Sequence, residues 1–424
     1  MAYGCRVHKL TVAQGAAMSA GAVLGAGIIS LPAMAAAVAG PASILAWLAL
    51  VVISAPLAWL FAELGARFPD AGGVSSYVRQ AFGGAAADAV GWVFYLAVPV
   101  GAPVAASFAG GYLADALGGG RLTSLATFGV IITVVFILNW LGLHVSGRVQ
   151  LVMVSVLVSL MVITVLVALP HAQPSNFVPF APQGWPAVGV AAAMLVWAFA
   201  GWEAVSSLSP DYANPRRDVP KATMLAVAVV GVLYLAVAGT NIAVLGPKLG
   251  ASQAPLADLL AVGIGEPARL ITAIVALLLT LGTVNAYVAG ATRLGTSLAA
   301  EGALPRWLTG TDHRSLTFVV VSAIVVALLP LDQHTFMLMV SGGITLVYVL
   351  GTAAALKLLS GVFAKSVAVF SLISVCVLLW LTGWPALLGL AVAGAALGYR
   401  AWRRRGSLPA GEDALPIEQA DAEA

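Results

Sequence analysis

Three glycines and one carboxylate carry most of the chemistry this chain offers. Gly25 and Gly27 lie in Ala22-Val23-Leu24-Gly25-Ala26-Gly27-Ile28-Ile29-Ser30, inside an apolar run from Thr11 to Ala39. A glycine in a helix interior costs on the order of 1 kcal/mol relative to alanine, so a clustered pair predicts a break. A broken helix exposes backbone N–H groups and the positive end of its second half, a setting that holds a carboxylate. The carbonyls ending its first half, with those near Phe199 and Ala200, suit an ammonium group. Together they complement a zwitterion and place Ala22, Gly25, Ala26, Gly27 and Ile28 at a binding site. The alternative is a packing face of small residues, because Gly21 and Gly25 have the spacing of close helix pairs.

A second interrupted stretch is Trp197-Ala198-Phe199-Ala200-Gly201-Trp202-Glu203. It adds Phe199, Ala200, Gly201 and Trp202 to the predicted site. Trp197 and Phe199 are candidate aromatic gates, with Phe199 the first choice to close over a bound molecule. Glu203 is the deepest ionisable residue of any apolar segment. Such residues default to functional roles, here a proton-binding carboxylate or a gate partner. The alternative is a carboxylate satisfied by Ser206, Ser207 or backbone amides. Glu63 and Arg67 form an i, i+4 pair of the kind found at helix ends near water. Two broken spans in corresponding halves point to the substrate site of a secondary transporter.

The elements that must position these residues follow from composition. Of 424 residues, 61% are hydrophobic and 9% charged, against about 25% charged in soluble domains. With a mean hydropathy of +1.00 the chain reads as an all-α integral membrane protein. The net charge of +3 carries no nucleic-acid signal, since basic residues cluster at the ends of apolar runs. Cys5 and Cys376 support neither a disulfide framework nor a metal site. The first apolar run follows Arg6, His8 and Lys9 like a signal peptide, but its length predicts a retained first helix.

Crossing about 30 Å of hydrocarbon takes about 20 apolar residues. Twelve segments qualify: 11–39, 42–68, 86–117, 122–143, 147–169, 187–208, 221–246, 268–299, 315–331, 335–358, 364–382 and 384–402. The chain turns between the last two at Gly383-Trp384-Pro385, with no charge to mark the boundary. With the N-terminus in the cytoplasm, 17 of the 20 Lys and Arg residues fall inside, leaving Arg121, Lys248 and Arg269 outside. The positive-inside rule therefore predicts a multi-pass cell-membrane protein with both termini cytoplasmic. Residues 1–10 form a short cytoplasmic tail. Residues 403–424, with five acids from Glu412 onward, form a disordered one.

The motifs resemble, in order, those of the amino acid/polyamine/organocation transporter family. Gly25-Ala26-Gly27-Ile28-Ile29 with Pro32 is similar to the first-helix glycine motif that holds a substrate's α-carboxylate. Glu63-Leu64, then Phe68-Pro69-Asp70-Ala71-Gly72-Gly73 and Tyr77, resembles the second helix and its loop. Phe199-Ala200-Gly201-Trp202-Glu203, Asp211 and Asn214-Pro215-Arg216-Arg217 resemble the sixth helix and the loop after it. Arg293 and Glu301-Gly302-Ala303-Leu304-Pro305 resemble the end of the eighth. The resemblance spans about Thr11 to Arg405. It implies a five-plus-five inverted repeat, 11–169 and 187–358, with 364–402 peripheral, and amino acids or amines as substrates. Val98-Pro99-Val100-Gly101-Ala102-Pro103 and the chain length look most like exporters of methionine and branched-chain amino acids.

Two departures bear on the coupling ion, H+ or Na+, that the family implies. Span five holds Arg148 at its edge but no lysine, and in span eight Thr280 and Thr283 could serve as hydroxyls for sodium. The expected function is alternating-access transport of neutral, hydrophobic amino acids, a small-molecule partner in a lipid environment, with no cofactor. Proton-coupled uptake and amino-acid/amine antiport are alternatives within the family, and a channel is the alternative from another class. Rings of charged or carbonyl-rich filter residues are absent from the sequence. Nor is there a phosphate loop, a nucleophile elbow or an HExxH pattern, so neither ATP-driven nor enzymatic chemistry is expected.

Overall fold

A computed structural model describes residues 9–68, 73–142, 147–203, 209 and 212–406. The side chains of 26, 147–151, 404 and 406 are outside the description, as are Pro69 to Gly72, Ser206, Ser207, Asp211 and the acidic tail. Among the described residues the chain is helical, with one isolated bridge between Leu10 and Tyr212. Helix α1 (Val12–Val23) starts at a capping box, Thr11 exchanging bonds with Gln14. After the break, α2 is Leu31–Ala39, with Pro32 in its first turn, where a missing N–H is harmless. Gly40, at φ 60°, turns the chain toward α3 (Ser43–Arg67).

A short helix, α4 (Val74–Phe82), precedes the long α5 (Gly84–Leu117). It carries Val74, Tyr77, Val78 and Ala81 on one buried face, an i, i+3, i+4, i+7 pattern too short to register as a span. Then come α6 (Arg121–Trp140), α7 (Gly147–Ala168) and α8 (Pro186–Phe199). The second half holds α9 (Pro215–Leu245), the short α10 (Pro255–Ile264) and α11 (Pro267–Ala300). The chain closes with α12 (Asp312–Ala327), α13 (Gln333–Leu358), α14 (Val362–Thr382) and α15 (Ala386–Gly406). Neither α4 nor α10 was expected from hydropathy, because each is too short to cross a bilayer.

Eight helical stretches among the described residues are long and apolar enough to span a membrane. The segment expected to cross at 187–208 is a helix only to Phe199 before the chain breaks, and α12 has 16 residues. Helix α15 outruns its expected end at 402 by one turn, to Gly406. Its last turns are held: Arg400 pairs with Asp88 at the start of α5, and Arg403 donates to the Gly302 carbonyl after α11. Arg79 on α4 pairs with Glu301 beside them at 2.6 Å. The helix therefore runs four residues into the stretch expected as a tail, and Arg403 docks on the bundle.

The core winds around the two interruptions. Helix α9 packs along α1 and α3, while α11 packs along α5. Large aromatic side chains fill the space between them, with Trp47, Tyr77, Tyr112 and Tyr234 all fully buried. At the start of α11, Arg269 pairs with Asp115 of α5 at 2.7 Å and Asp258 of α10 at 2.6 Å. Arg293 lies at the opposite end of the same helix, roughly 36 Å away at 1.5 Å per residue.

Candidate substrate site at two facing helix breaks

Helix α1 stops at Val23, and the chain does not resume an α-helix until Leu31. Gly25 is extended (φ −85°, ψ −172°), and Ala26–Ile29 form a single 3-10 turn. The first N–H groups of a 3-10 turn, here those of Ala26 and Gly27, have no acceptor within it. Gly27 is needed for space rather than for its dihedrals. A Cβ there would lie 2.7 Å from Cδ1 of Trp197 and 3.0 Å from Cδ1 of Leu31. Gly25 has open room, its nearest neighbour being Thr283 Cγ2 at 3.8 Å. Gly21 packs tightly on Val154 of α7 while Gly25 borders a cavity, so the two do not form one packing face.

Helix α8 ends at Phe199, and Ala200 turns extended (φ −67°, ψ 140°). Gly201 then adopts φ 124°, a region that side chains rarely enter. Any Cβ on it would also fall 2.7 Å from the Ala22 carbonyl oxygen. The second break therefore rests directly on the backbone of the first. The Gly201 N–H donates to Glu203 Oε2 at 2.9 Å, and the Tyr348 hydroxyl donates to the same oxygen at 2.5 Å. The Gly201 donor is one of the backbone amides that the alternative reading of Glu203 offered, while Ser206 and Ser207 lie outside the described residues.

The breaks enclose a cavity of about 100 Å³. One wall is the break backbone around Ala22, Val23, Gly25 and Gly27, continued by Ala198 and Ala200. The opposite wall is apolar: Phe94, Val98, Gly101 and Ala105 from α5, and Val340 and Ile344 from α13. Thr283 and Tyr287 of α11 and Glu203 supply its side-chain polarity. Trp197 lies across it, its ring set edge-on to Phe108 at 6.1 Å. A larger vestibule of about 430 Å³ shares Ala22, Gly25, Glu203, Thr283 and Tyr287 with this cavity and runs along α11 to Arg293.

The structure thus brings Ala22, Gly25, Gly27, Trp197, Ala200 and Glu203 to one cavity, and Gly201 to the vestibule that joins it. Phe199 lies elsewhere. Its ring packs on Trp47 at 6.1 Å and edge-on to Tyr234 at 5.1 Å, and it is not among the cavity's lining residues. Trp202 and Ile28 are likewise buried away from the lining, and the Ala26 side chain is outside the description. The reason is helical phase: Phe199 is two residues from Trp197, so their side chains leave α8 about 200° apart. Glu63 pairs with Arg67 at 2.7 Å on the last turn of α3, remote from this site.

Several participants had no signal in the sequence. Tyr234 donates toward both Val23 O at 3.0 Å and Ala198 O at 2.9 Å. Tyr112 donates to Ile29 O and accepts the Leu256 N–H of α10 at 3.0 Å. Both are single aromatics in apolar helices, and nothing local marks a tyrosine whose partner is 83 or 211 residues distant.

Comparison with known proteins follows the same lines. The profile of the amino acid permease family matches residues 10–389. The chain belongs to this family. An amino acid permease of Bacillus subtilis named YecA, itself uncharacterized, is 31% identical over 83% of this chain and 85% of its own length. YjeH of Escherichia coli, an L-methionine/branched-chain amino acid exporter, is 31% identical over 90% of this chain and 94% of its own length. BcaP of Bacillus subtilis, a branched-chain amino acid permease, is 26% identical over 74% and 73%. As a family member this protein is a multi-pass membrane transporter of the amino-acid permease type and not an enzyme.

Proposed function

We propose that this permease carries neutral, apolar amino acids by alternating access, with the zwitterion held between the two breaks. The observation that carries the reading is the contact of Gly201 with the Ala22 backbone beside a small apolar cavity. Donors of the first break face the carboxylate, carbonyls near Ala200 face the ammonium, and the α5 and α13 wall accepts the side chain. Among the described residues Glu203 is the one carboxylate lining the cavity, and its Oε2 accepts from two donors. The largely apolar lining favours apolar side chains over a second ammonium group, which disfavours diamines such as the putrescine named for the relative PotE.

The reading includes twelve spans, an inverted repeat over 11–169 and 187–358 with α14 and α15 at the periphery, and cytoplasmic termini. The asymmetry of Lys and Arg supports that orientation, in which the vestibule beside Arg293 is on the cytoplasmic side. Similarity to YjeH over 94% of its length favours methionine, leucine, isoleucine and valine as cargo and export as the direction. Glu203 is the proposed proton site, at the junction of cavity and vestibule.

The test is counterflow in proteoliposomes loaded with unlabelled methionine or leucine, with external radiolabel and with or without a pH or sodium gradient. Saturable, trans-stimulated exchange of these amino acids is expected, with arginine and putrescine inert. Non-saturable flux would indicate a channel, and exchange confined to charged substrates would overturn the apolar assignment.

A further inference from the structure

The breaks need more than glycine. Each ends a helix whose final carbonyls have no N–H of a following turn to accept, and those carbonyls must sit at fixed spacing to receive an ammonium group; at the first break Val23 O also accepts the Gly25 N–H at 2.7 Å. Val23 is the last residue of α1, and Ala198 the penultimate residue of α8. Their carbonyl oxygens converge on one hydroxyl, that of Tyr234 on α9, at 3.0 and 2.9 Å. Three elements distant in sequence meet at that atom.

The hydroxyl is fixed in place by its own ring. Tyr234 is fully buried, edge-on to Trp47 with centroids 5.3 Å apart and edge-on to Phe199 at 5.1 Å. Trp47 comes from α3 and Phe199 from the end of α8 itself. The aromatic cluster thus sets the phenol's direction, and the phenol sets the distance between two helix ends. Val23 and Ala198 both border the cavity, so any slip between these ends changes the shape of the site.

We infer that Tyr234 is a positioning residue for the substrate: its hydroxyl locks the carbonyl ends of the two broken helices in the register that binds the amino acid's ammonium group. It touches no substrate itself, because it stands behind the cavity wall. The inference rests on the transport reading above. It gives Phe199 a role as well, as part of the clamp on Tyr234.

The experiment compares two identical chemical changes in the purified full-length protein. Tyr234→Phe removes the hydroxyl and keeps the ring. Tyr95→Phe removes another buried hydroxyl, bonded to Ser315 at 3.0 Å and remote from the breaks. Both should lower the melting temperature. Only Tyr234→Phe should raise the Kd for radiolabelled leucine, by about tenfold, the scale of one well-made hydrogen bond. A rise of less than threefold relative to Tyr95→Phe overturns the positioning role and leaves Tyr234 as packing. If Tyr234→Phe does not fold, placing the α-hydroxy acid analogue of phenylalanine at Phe199 turns the Ala198 carbonyl into a weaker ester acceptor with every side chain kept. There the Kd should rise at least threefold, and an unchanged Kd overturns the inference. If the wild-type protein binds no apolar amino acid, the transport reading itself has failed and this inference falls with it.

Discussion

At Gly27 steric and chemical arguments converge on one atom's worth of space. A Cβ would meet the Trp197 indole at 2.7 Å, so Gly27→Val has to displace the ring that crosses the cavity while also crowding the donors of the first break. Exchange should fall to background with folding retained, read as transport alongside the size-exclusion profile. An unchanged substrate Kd in that variant would remove the carboxylate assignment. Trp197 and Phe199 separate two further roles. Trp197→Ala should weaken leucine and methionine binding more than alanine binding, because the indole lines the cavity. Phe199→Ala instead empties a buried ring position between Trp47 and Tyr234, a loss on the order of 3 kcal/mol. It should lower the melting temperature and weaken all apolar amino acids alike. Selective loss of large substrates in Phe199→Ala would reverse the two assignments. The residue types of this site were legible in the sequence, since paired glycines in an apolar run have few other uses. The phase of each aromatic on α8 was not, because a break erases the periodicity that would say which side faces the cavity.

At the level of elements, the width of the cavity is set by how closely α5 approaches α8 and α13. Gly101 is the point of approach: a Cβ there would lie 3.3 Å from Trp197 Cη2 and 3.8 Å from Val340 Cγ2. Alanine fits with small shifts, whereas the γ-carbons of valine enter a cavity of only about 100 Å³. Gly101→Val should therefore reduce leucine and methionine affinity at least about tenfold and spare alanine, the usual scale for one or two methylenes in an apolar pocket. Equal affinities across the three amino acids would move the side-chain pocket elsewhere. Long helices such as α5 and α11 were readable from hydropathy to within a few residues. Helices α4 and α10 were not, because an amphipathic segment of nine or ten residues carries no spanning signal. Nor could the sequence reveal that the last turn of α15 docks on Asp88 and Gly302, since arginines after an apolar run ordinarily mark a solvated edge.

Across the whole molecule the two ends differ. At one end Arg269 joins α5, α10 and α11, and Tyr112 ties α10 to the first break. Toward the other, the vestibule leads from the cavity to Arg293. A carboxylate where cavity and vestibule meet can couple proton movement to the exchange of one open end for the other, and Glu203 occupies that place. Its Oε2 accepts from the Gly201 N–H of the second break and from the Tyr348 hydroxyl of α13, so protonation would weaken the link between that break and α13. Glu203→Gln keeps the size and a carbonyl acceptor for both donors while removing titration. Methionine exchange measured from acid to alkaline pH in proteoliposomes should then lose the pH dependence of the wild type, with a melting temperature close to normal. If Glu203 only holds the break together, the same variant should melt lower and retain the wild-type pH profile in whatever activity survives. That second pattern would sink the proton-site role and leave the carboxylate as a structural acceptor for Gly201 and Tyr348.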